Sequence, residues 1–399
     1  MIAGCLSWGQ VYHSVQSLQS ARGVSVIFLC PHVILRSEGR EAAGATLRAV
    51  EGMDTPTRSG CCAGRQVVLN WPPVKVFFAD TFPLPLPPRH RFPVRKYGLL
   101  RQTLIDGGVV RPEELLLAPA ATDAQLLLVH DADYVRRVVE GRLSDREIRR
   151  IGLPWSPELV VRMRHTTGGT IAACRAALQD GIAVNLSGGY HHAHRDYGQG
   201  YCLFNDVVIA ARVLQDEGLV RRVVVLDCDV HQGNATAELT AADATVYTFS
   251  IHSESDFPLH KVASDLDIAL GDGVGDERYL AALDEGLEVA LERAQADLAI
   301  YLAGADPYRD DLLGHLALSK EGLAQRDRLV LGHCFERRLP VAVVMAGGYS
   351  RRVEDTVEIH CATVRIAGEF AGAWNSLLAP LYCRESPDPP RADAVRGRT

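Results

Sequence analysis

Two aspartates and a histidine alternate in the segment LDCDVHQGN, immediately after the apolar run at residues 223–226. These residues are Asp227, Asp229 and His231. In an extended chain, side chains at alternate positions point to the same face. Two carboxylates and an imidazole on one buried face repel each other or lose solvation unless a positive charge lies among them. The pattern therefore favours a bound divalent cation.

Three other apolar runs also end in polar residues. These residues are His191 and His192 (after the run 182–186), Asp306 (after 298–302) and Tyr349 (after 341–345). Each has an ordinary explanation when taken alone, as a surface histidine pair, a helix cap or a glycine-rich turn. Ligands bind outside the carboxyl ends of strands in open α/β sheets, so four such clusters together predict one site.

One nitrogen and two carboxylates come together if Asp229, His231 and Asp306 share this site. Three protein ligands with one coordination position left open are the arrangement of catalytic zinc sites. Fe²⁺ can occupy a similar set of ligands. Cys228 alternates with the ligands and is expected to point to the opposite face.

The elements that must position these residues alternate between strands and helices. Strands are predicted at residues 74–78, 182–186, 223–226, 246–251, 298–302 and 341–345. Helices are predicted at residues 97–106, 157–181 with an interruption at Gly168-Gly169, 205–217, around 280–291, and 323–337. Apolar strands separated by helices predict an α/β fold, in which a single large domain has a mainly parallel sheet with helices on both faces.

Composition restricts the remaining possibilities. The chain has 399 residues and a net charge of −7, which argues against a nucleic-acid-binding surface. Its ten cysteines form no CxxC pair, which favours reduced thiols and a cytoplasmic location, and no apolar stretch is long enough for a membrane span. Weak periodicity predicts a poorly structured extension at residues 1–70, and the Pro/Arg/Asp-rich residues 385–399 predict a disordered tail.

Several segments resemble, in the same order, the motifs of the zinc-dependent histone deacetylases of the arginase/deacetylase superfamily. The likeness is greatest to the class IV members and their bacterial relatives. The matching segments are GGYHHAHRDYGQGYCLFND (188–206), LDCDVHQGN (226–234), FSIH (249–252), AGADPYRDDLLGHLALS (303–319) and AGGY (346–349). The resemblance covers about residues 74–377 and implies one catalytic domain with the arginase/deacetylase fold.

The resemblance also implies a role for each matching residue. The implied zinc ligands are Asp229, His231 and Asp306; the paired active-site histidines are His191 and His192, with Asp227 and Asn234 as their partners; Tyr349 polarises the substrate carbonyl; Gly200 and Tyr201 line an acyl-lysine channel. A monovalent-cation site, with K⁺ as the candidate ion, is implied at Asp227, Asp229, His231, Ser250 and Ile251. Class I members have an aspartate in place of Asn234, and a phenylalanine is common in place of Tyr201.

The implied activity is zinc-dependent hydrolysis of an N-acyl amide, with an acylated lysine of a protein as the substrate. An amidohydrolase of acetylpolyamines or other small acylated amines uses the same chemistry and stays open. A ureohydrolase with two manganese ions needs further carboxylates, but the chain has Gly233, Gly304 and Tyr308 at the relevant positions. A non-catalytic acyl-lysine binding protein is disfavoured because all ligands, both histidines and Tyr349 are present.

Overall fold

The computed structural model describes residues 74–382, with side chains up to residue 374. Its strands are β1 (Lys75–Phe78), β2 (Leu115–Leu117), β3 (Ile182–Asn185), β4 (Val223–Asp227), β5 (Val246–Ser253), β6 (Leu266–Leu270), β7 (Leu298–Leu302) and β8 (Val341–Val344). They form one sheet in the order β2-β1-β3-β8-β7-β4-β5-β6. Every neighbouring pair is parallel, which confirms the predicted α/β fold. The predicted extension and tail lie outside the described residues.

The helices connect these strands. They are α1 (Arg95–Asp106), α2 (Asp123–Leu126), α3 (Ala132–Val139), α4 (Asp145–Ile151), α5 (Pro157–Asp180), α6 (Asp206–Asp216), α7 (Asn234–Thr240), α8 (Asp276–Ala294), α9 (Lys320–Glu336) and α10 (Val353–Tyr382), with a short 3-10 helix at Pro112–Glu114. None of the helices between residues 74 and 382 combines the length and the apolar character that crossing a membrane requires.

Helices cover both faces of the sheet, and alternate residues of β4 pack into different cores. Val223 and Val225 pack on the side of α5 and α6. Val224, Leu226 and Cys228 pack on the other side, with residues of α1, α8, α9 and α10. Cys228 therefore points away from the predicted metal ligands, as expected. The cysteines with described side chains are all buried and free, in agreement with reduced thiols.

The predicted interruption at Gly168-Gly169 is wrong, because α5 is one continuous helix. Ser156 caps its first turn through a hydrogen bond from the Leu159 N–H, and the helix ends at Asp180, with Gly181 as its C-cap. The glycines serve packing instead of breaking the helix. A Cβ atom on Gly168 would lie 2.0 Å from the carbonyl oxygen of Pro119.

Both edge strands, β2 and β6, were not predicted. β2 has only three residues, which is too short for a period to be recognised. In β6, partly buried and exposed residues alternate and only Leu270 is fully buried, as an edge strand allows. The short helices α2, α3, α4 and α7 were also not predicted, since their stabilising contacts come from the tertiary structure.

Candidate active site

Four strands that are consecutive in the sheet carry the predicted site. In the order β3-β8-β7-β4, their carboxyl ends lie side by side. The residues that follow these strands are the predicted histidine pair, Tyr349, Asp306 and the Asp229/His231 pair. All of them are buried except Tyr349, which is partly exposed. The predicted convergence of four polar clusters at one sheet edge is therefore present.

The three predicted metal ligands converge on one point. Their ligand atoms lie within 4.8 Å of one another. His231 Nδ1 is 3.0 Å from Asp229 Oδ1 and 3.3 Å from Asp306 Oδ2. Two ligand atoms that bind the same tetrahedral zinc ion lie about 3.3 Å apart. The geometry thus suits one small divalent cation.

One oxygen of this cluster has no hydrogen-bond donor. Asp306 Oδ2 is fully buried yet unpartnered, whereas Asp306 Oδ1 accepts the Val230 N–H at 3.0 Å. Burial and the nearby Asp229 carboxylate raise the pKa of Asp306. Although burial opposes its charge, the carboxylates of Asp229 and Asp306 raise the pKa of His231 well above its usual value. The cluster therefore requires a positive charge, which a metal ion would supply.

Backbone groups hold the ligands in place. Asp229 Oδ2 accepts the Gly347 N–H at 2.7 Å, which joins the loop after β8 to the loop after β4. A Cβ atom on Gly347 would lie 1.8 Å from Asp306 Oδ2, so only glycine fits there. Among the side chains that the structure describes, Asp229, His231 and Asp306 are the only potential metal-binding group. A second metal site of the ureohydrolase type is absent from this part of the chain.

The two adjacent histidines have different partners, as the resemblance implied. His191 Nδ1 lies 2.6 Å from Asp227 Oδ2. Burial opposes its charge, but the Asp227 carboxylate raises the pKa of His191 to about 9. His192 Nδ1 lies 2.8 Å from Asn234 Oδ1. Burial and the charge of His191 lower the pKa of His192 well below its usual value. The pair thus combines one cationic imidazole with one neutral imidazole.

A cavity of ≈ 320 Å³ leads to these groups and includes both predicted channel residues, Gly200 and Tyr201. Helix α4 positions them, because the Gly200 N–H donates to the Arg150 carbonyl at 3.2 Å and the Tyr201 N–H to the Ile151 carbonyl at 2.7 Å. The Tyr349 ring lies 5.8 Å from the Tyr201 ring. The channel wall is therefore built partly by a helix that the sequence analysis missed.

Two further aromatic residues of the channel were not predicted. Phe257 meets the His192 ring edge-to-face at 4.8 Å, and Phe92 lies 5.3 Å from the Tyr201 ring. Both residues also line the cavity. Phe92 lies in a Pro-rich loop and Phe257 precedes Pro258, so neither has a periodic neighbour pattern from which its position could be predicted.

Two carboxylates, one buried and one partly exposed, organise the loops of the site and were also missed. Asp206 accepts the Gly189 N–H at 3.0 Å and the Tyr190 N–H at 2.7 Å, immediately before the histidine pair. Asp311 Oδ2 accepts the Tyr349 N–H at 2.6 Å. Both residues lie inside the motif segments that carry the resemblance, and that position was the signal from which a role in the site could have been predicted.

The residues of the predicted monovalent-cation site lie at the end of β4, in the loop that follows it, and in the neighbouring strand β5. Asp227 and Ser250 are paired in register across these strands, and Ile251 follows in β5. The Ser250 hydroxyl lies 2.9 Å from His252 Nδ1. Backbone carbonyls of these neighbouring segments could coordinate the same ion. The site stays a prediction.

Comparisons with known proteins show which proteins the chain is similar to. The family profile described as "Histone deacetylase domain" matches residues 90–364. An uncharacterized protein of Picosynechococcus is 43% identical over 292 residues, which cover 73% of this chain and 97% of that protein. Histone deacetylase 2 of Arabidopsis thaliana is 29% identical over 282 residues, which cover 67% of this chain and 73% of that protein.

The fold is also found among solved structures. A histone deacetylase homologue from Aquifex aeolicus superimposes with a TM-score of 0.65 at 22% identity. The superposition covers 75% of this chain and 84% of that one. At this level of identity the likeness establishes the fold.

Proposed function

Because the chain belongs to the histone deacetylase family and is a deacetylase-type hydrolase, we propose that it hydrolyses N-acyl amides at a bound zinc ion, with acylated lysine side chains of proteins as its substrates. The main support is the buried, unpartnered Asp306 Oδ2, which lies in a cluster with Asp229 and His231 at the end of the channel. An unpaired buried carboxylate oxygen is costly unless a cation satisfies it.

The channel supports a substrate with an extended aliphatic arm. Its walls are the rings of Phe92, Tyr201 and Phe257, and its inner end is formed by the two histidines. Apolar walls with a few polar groups at the end suit a methylene chain that carries a polar amide. An acylated lysine has this shape, and so does an acylated polyamine.

The polar groups around the metal ligands suit amide hydrolysis. Zinc bound there would lower the pKa of a water molecule and polarise the acyl carbonyl. His192 carries its proton on Nδ1, where it donates to Asn234, so its Nε2 accepts the water proton and later passes it to the leaving amine. The Tyr349 hydroxyl, whose pKa burial raises well above its usual value, stays protonated and donates to the developing oxyanion. The His191 imidazolium adds positive charge.

Metal analysis and a substrate panel together test the proposal. Purified protein should contain one zinc ion per chain, and Asp306→Ala should lose both the metal and the activity. If the analysis finds one Fe²⁺ ion per chain instead, the identity of the metal changes but the proposed mechanism stays the same. The panel should contain lysine peptides with acyl groups from acetyl to myristoyl, together with acetylated polyamines.

The possible outcomes separate the alternatives. Turnover of acyl-lysine peptides supports the proposal, whereas turnover of acetylpolyamines alone makes the protein a small-molecule amidohydrolase. One zinc ion without turnover of any substrate would indicate an acyl-lysine binding protein. Two manganese ions per chain would contradict the assignment of a single metal site.

The proposal includes two further features. K⁺ is proposed at Asp227, Asp229, His231, Ser250 and Ile251, and should raise the melting temperature more than Li⁺ does at equal ionic strength. A cytoplasmic location, without binding to nucleic acid or membrane, is proposed from the reduced cysteines and the net charge of −7. Cell fractionation tests the location.

A further inference from the structure

The side-chain amide of Asn234 has an oxygen that accepts and a nitrogen that donates hydrogen bonds. The proposed general base, His192, needs the oxygen beside its Nδ1. Asn234 Oδ1 faces His192 Nδ1 at 2.8 Å, so His192 keeps its proton on Nδ1 and its Nε2 is free. If the amide were reversed, its NH₂ group would face His192 Nδ1. That nitrogen would then have to accept, and the ring proton would move to Nε2. A carboxylate at position 234 would have two equivalent ends and no such requirement.

His194 contacts the other end of this amide. Asn234 Nδ2 lies 3.1 Å from His194 Nε2. On the opposite edge of the ring, His194 Nδ1 lies 2.8 Å from Glu238 Oε2. An ionised carboxylate can only accept, so Nδ1 carries a proton, and in the neutral ring Nε2 then has a free lone pair. The amide N–H of Asn234 can therefore donate to His194, whereas its carbonyl oxygen cannot accept from it.

The His194 ring is held firmly enough to impose this choice. Its side chain is 3% exposed, whereas that of Glu238 is 50% exposed. The ring stacks on Tyr197 with a centroid distance of 4.3 Å, and the His194 carbonyl accepts from His130 Nδ1 at 2.8 Å. Gln199 Nε2 also lies 2.9 Å from His194 Nε2, so a second amide points its donor at the same nitrogen.

The surroundings of the ring also favour its neutral form. Burial lowers the pKa of His194, while Glu238 and Asp196 oppose this effect and Arg150 adds to it. A protonated ring would place an N–H on Nε2 against the N–H groups of two amides. With both amides in the orientation that the structure shows, Nε2 must accept, and this fits the neutral tautomer with its proton on Nδ1.

We infer that His194 is a positioning residue that selects the orientation of the Asn234 amide and thereby keeps the proton of the general base His192 on Nδ1. Glu238 fixes the tautomer of His194 from the solvent side. The inference rests on the proposed function, in which His192 accepts a proton at Nε2. His194 itself does not contact the reacting atoms.

A double-mutant cycle tests this coupling. His194→Phe keeps an aromatic ring against Tyr197 and removes the acceptor nitrogen. It should lower kcat about tenfold or more with little change in KM, because most of the enzyme then holds the wrong tautomer. In the Asn234→Asp background the same substitution should change kcat by less than about twofold, since a carboxylate needs no orientation.

Two further variants complete the design. His194→Gln can offer a side-chain oxygen to Asn234 and should recover part of the lost kcat, which also provides a variant if the phenylalanine variant fails to fold. Tyr197→Phe keeps the stacked ring and removes only a hydroxyl, so its kcat should equal that of the unmodified protein. Zinc content and melting temperature should be measured for every variant.

Nitrogen-15 NMR of the histidine side chains provides a measurement that is independent of turnover. The unmodified protein should show His192 protonated on Nδ1, and His194→Phe should move a measurable fraction of that proton to Nε2. An unchanged His192 tautomer in His194→Phe would overturn the inference, and so would an equal loss of kcat in both backgrounds. If the unmodified protein hydrolyses no substrate, the proposed function fails, while the NMR result still decides the role of His194.

Discussion

His191 and His192 are neighbours in the chain, yet each is bonded to a different kind of partner. A carboxylate faces His191 and raises its pKa to about 9, whereas an amide faces His192. The amide orients His192 without stabilising its charged form, and burial keeps that ring neutral. At the scale of single residues, the partner of each ring thus decides its role. The carboxylate of Asp227 favours a cationic His191, and the amide of Asn234 leaves His192 neutral and able to act as a base.

Replacing Asn234 with aspartate should move the acid limb of the pH–rate profile to higher pH. A carboxylate beside His192 Nδ1 favours the imidazolium form, so the pKa of His192 rises and a larger fraction is protonated at a given acidic pH. Protonated His192 cannot accept the water proton, so kcat/KM falls at that pH. Complete pH profiles at matched zinc content provide the test. An acid limb that stays in place or moves to lower pH would show that Asn234 does not contact the general base.

Replacing Tyr349 with phenylalanine should lower kcat by about 10² to 10³, with a much smaller change in KM. The hydroxyl matters most once the carbonyl oxygen carries charge, and the remaining ring keeps its packing against Tyr201 and Phe92. Steady-state kinetics, metal analysis and thermal melting should be compared with the unmodified protein. Near-normal kcat would show that another group donates to the oxyanion.

Helix α9 supports the metal-ligand loops from behind. Arg326 on this helix is fully buried and donates through Nη1 to the carbonyls of Gly304 and Cys228, which belong to the segments that carry Asp306 and Asp229. Asp327 Oδ1 accepts from Arg326 Nε at 3.0 Å and balances its charge. At the scale of elements, a helix on one face of the sheet thus stabilises ligand loops at the sheet edge.

Helix α5 lies so close to the loop before α2 that its glycines cannot be replaced freely. Gly168→Ala would place a Cβ atom 2.0 Å from the Pro119 oxygen, so the backbone must move and the free energy of unfolding should fall by about 1 to 3 kcal/mol. Gly332→Ala in α9 is the matched control. The atom nearest to a Cβ atom on Gly332 would be Phe370 Cζ at 3.9 Å, which is an ordinary contact. The free energy of unfolding of this variant should therefore rise by about 0.4 to 1 kcal/mol. Chemical denaturation of both variants measures the difference, and equal stabilities would contradict this packing argument.

The whole described molecule is organised around one sheet edge. Within residues 74–374, two apolar cores pack on the two faces of the sheet, and the family profile matches residues 90–364 of this range. No residue of the predicted site lies in the predicted N-terminal extension or in the tail. The described segment therefore contains all the groups that the proposed reaction requires.

Removing residues 1–70 should leave a soluble and active protein. These residues lack clear periodicity and lie outside the motif segments, whereas β1 begins only at Lys75. The truncated chain should match the full chain in kcat, KM, zinc content and melting temperature. Aggregation, or a clearly lower melting temperature, would show that the segment stabilises the domain.

The position of the candidate site could be predicted from the sequence because it follows from general rules of strand and sheet geometry. Alternation along β4 places Asp227, Asp229 and His231 on one face, and apolar strands between helices imply a parallel sheet whose carboxyl ends meet at one edge. The motif segments then indicated Asn234 and Tyr349. These inferences require only the order of residues along the chain.

Other features were decided only by the tertiary structure, because they depend on contacts between residues far apart in the sequence. The chain order does not show that β8 lies between β3 and β7, nor that Gly168 packs on Pro119 within an unbroken helix. The ring of Phe257 reaches His192 from a distant loop. His194, only two residues after His192, contacts it through Asn234, which lies 40 positions further along the chain from His194. These groups meet only through tertiary packing, so their contacts could not be predicted from their spacing in the sequence.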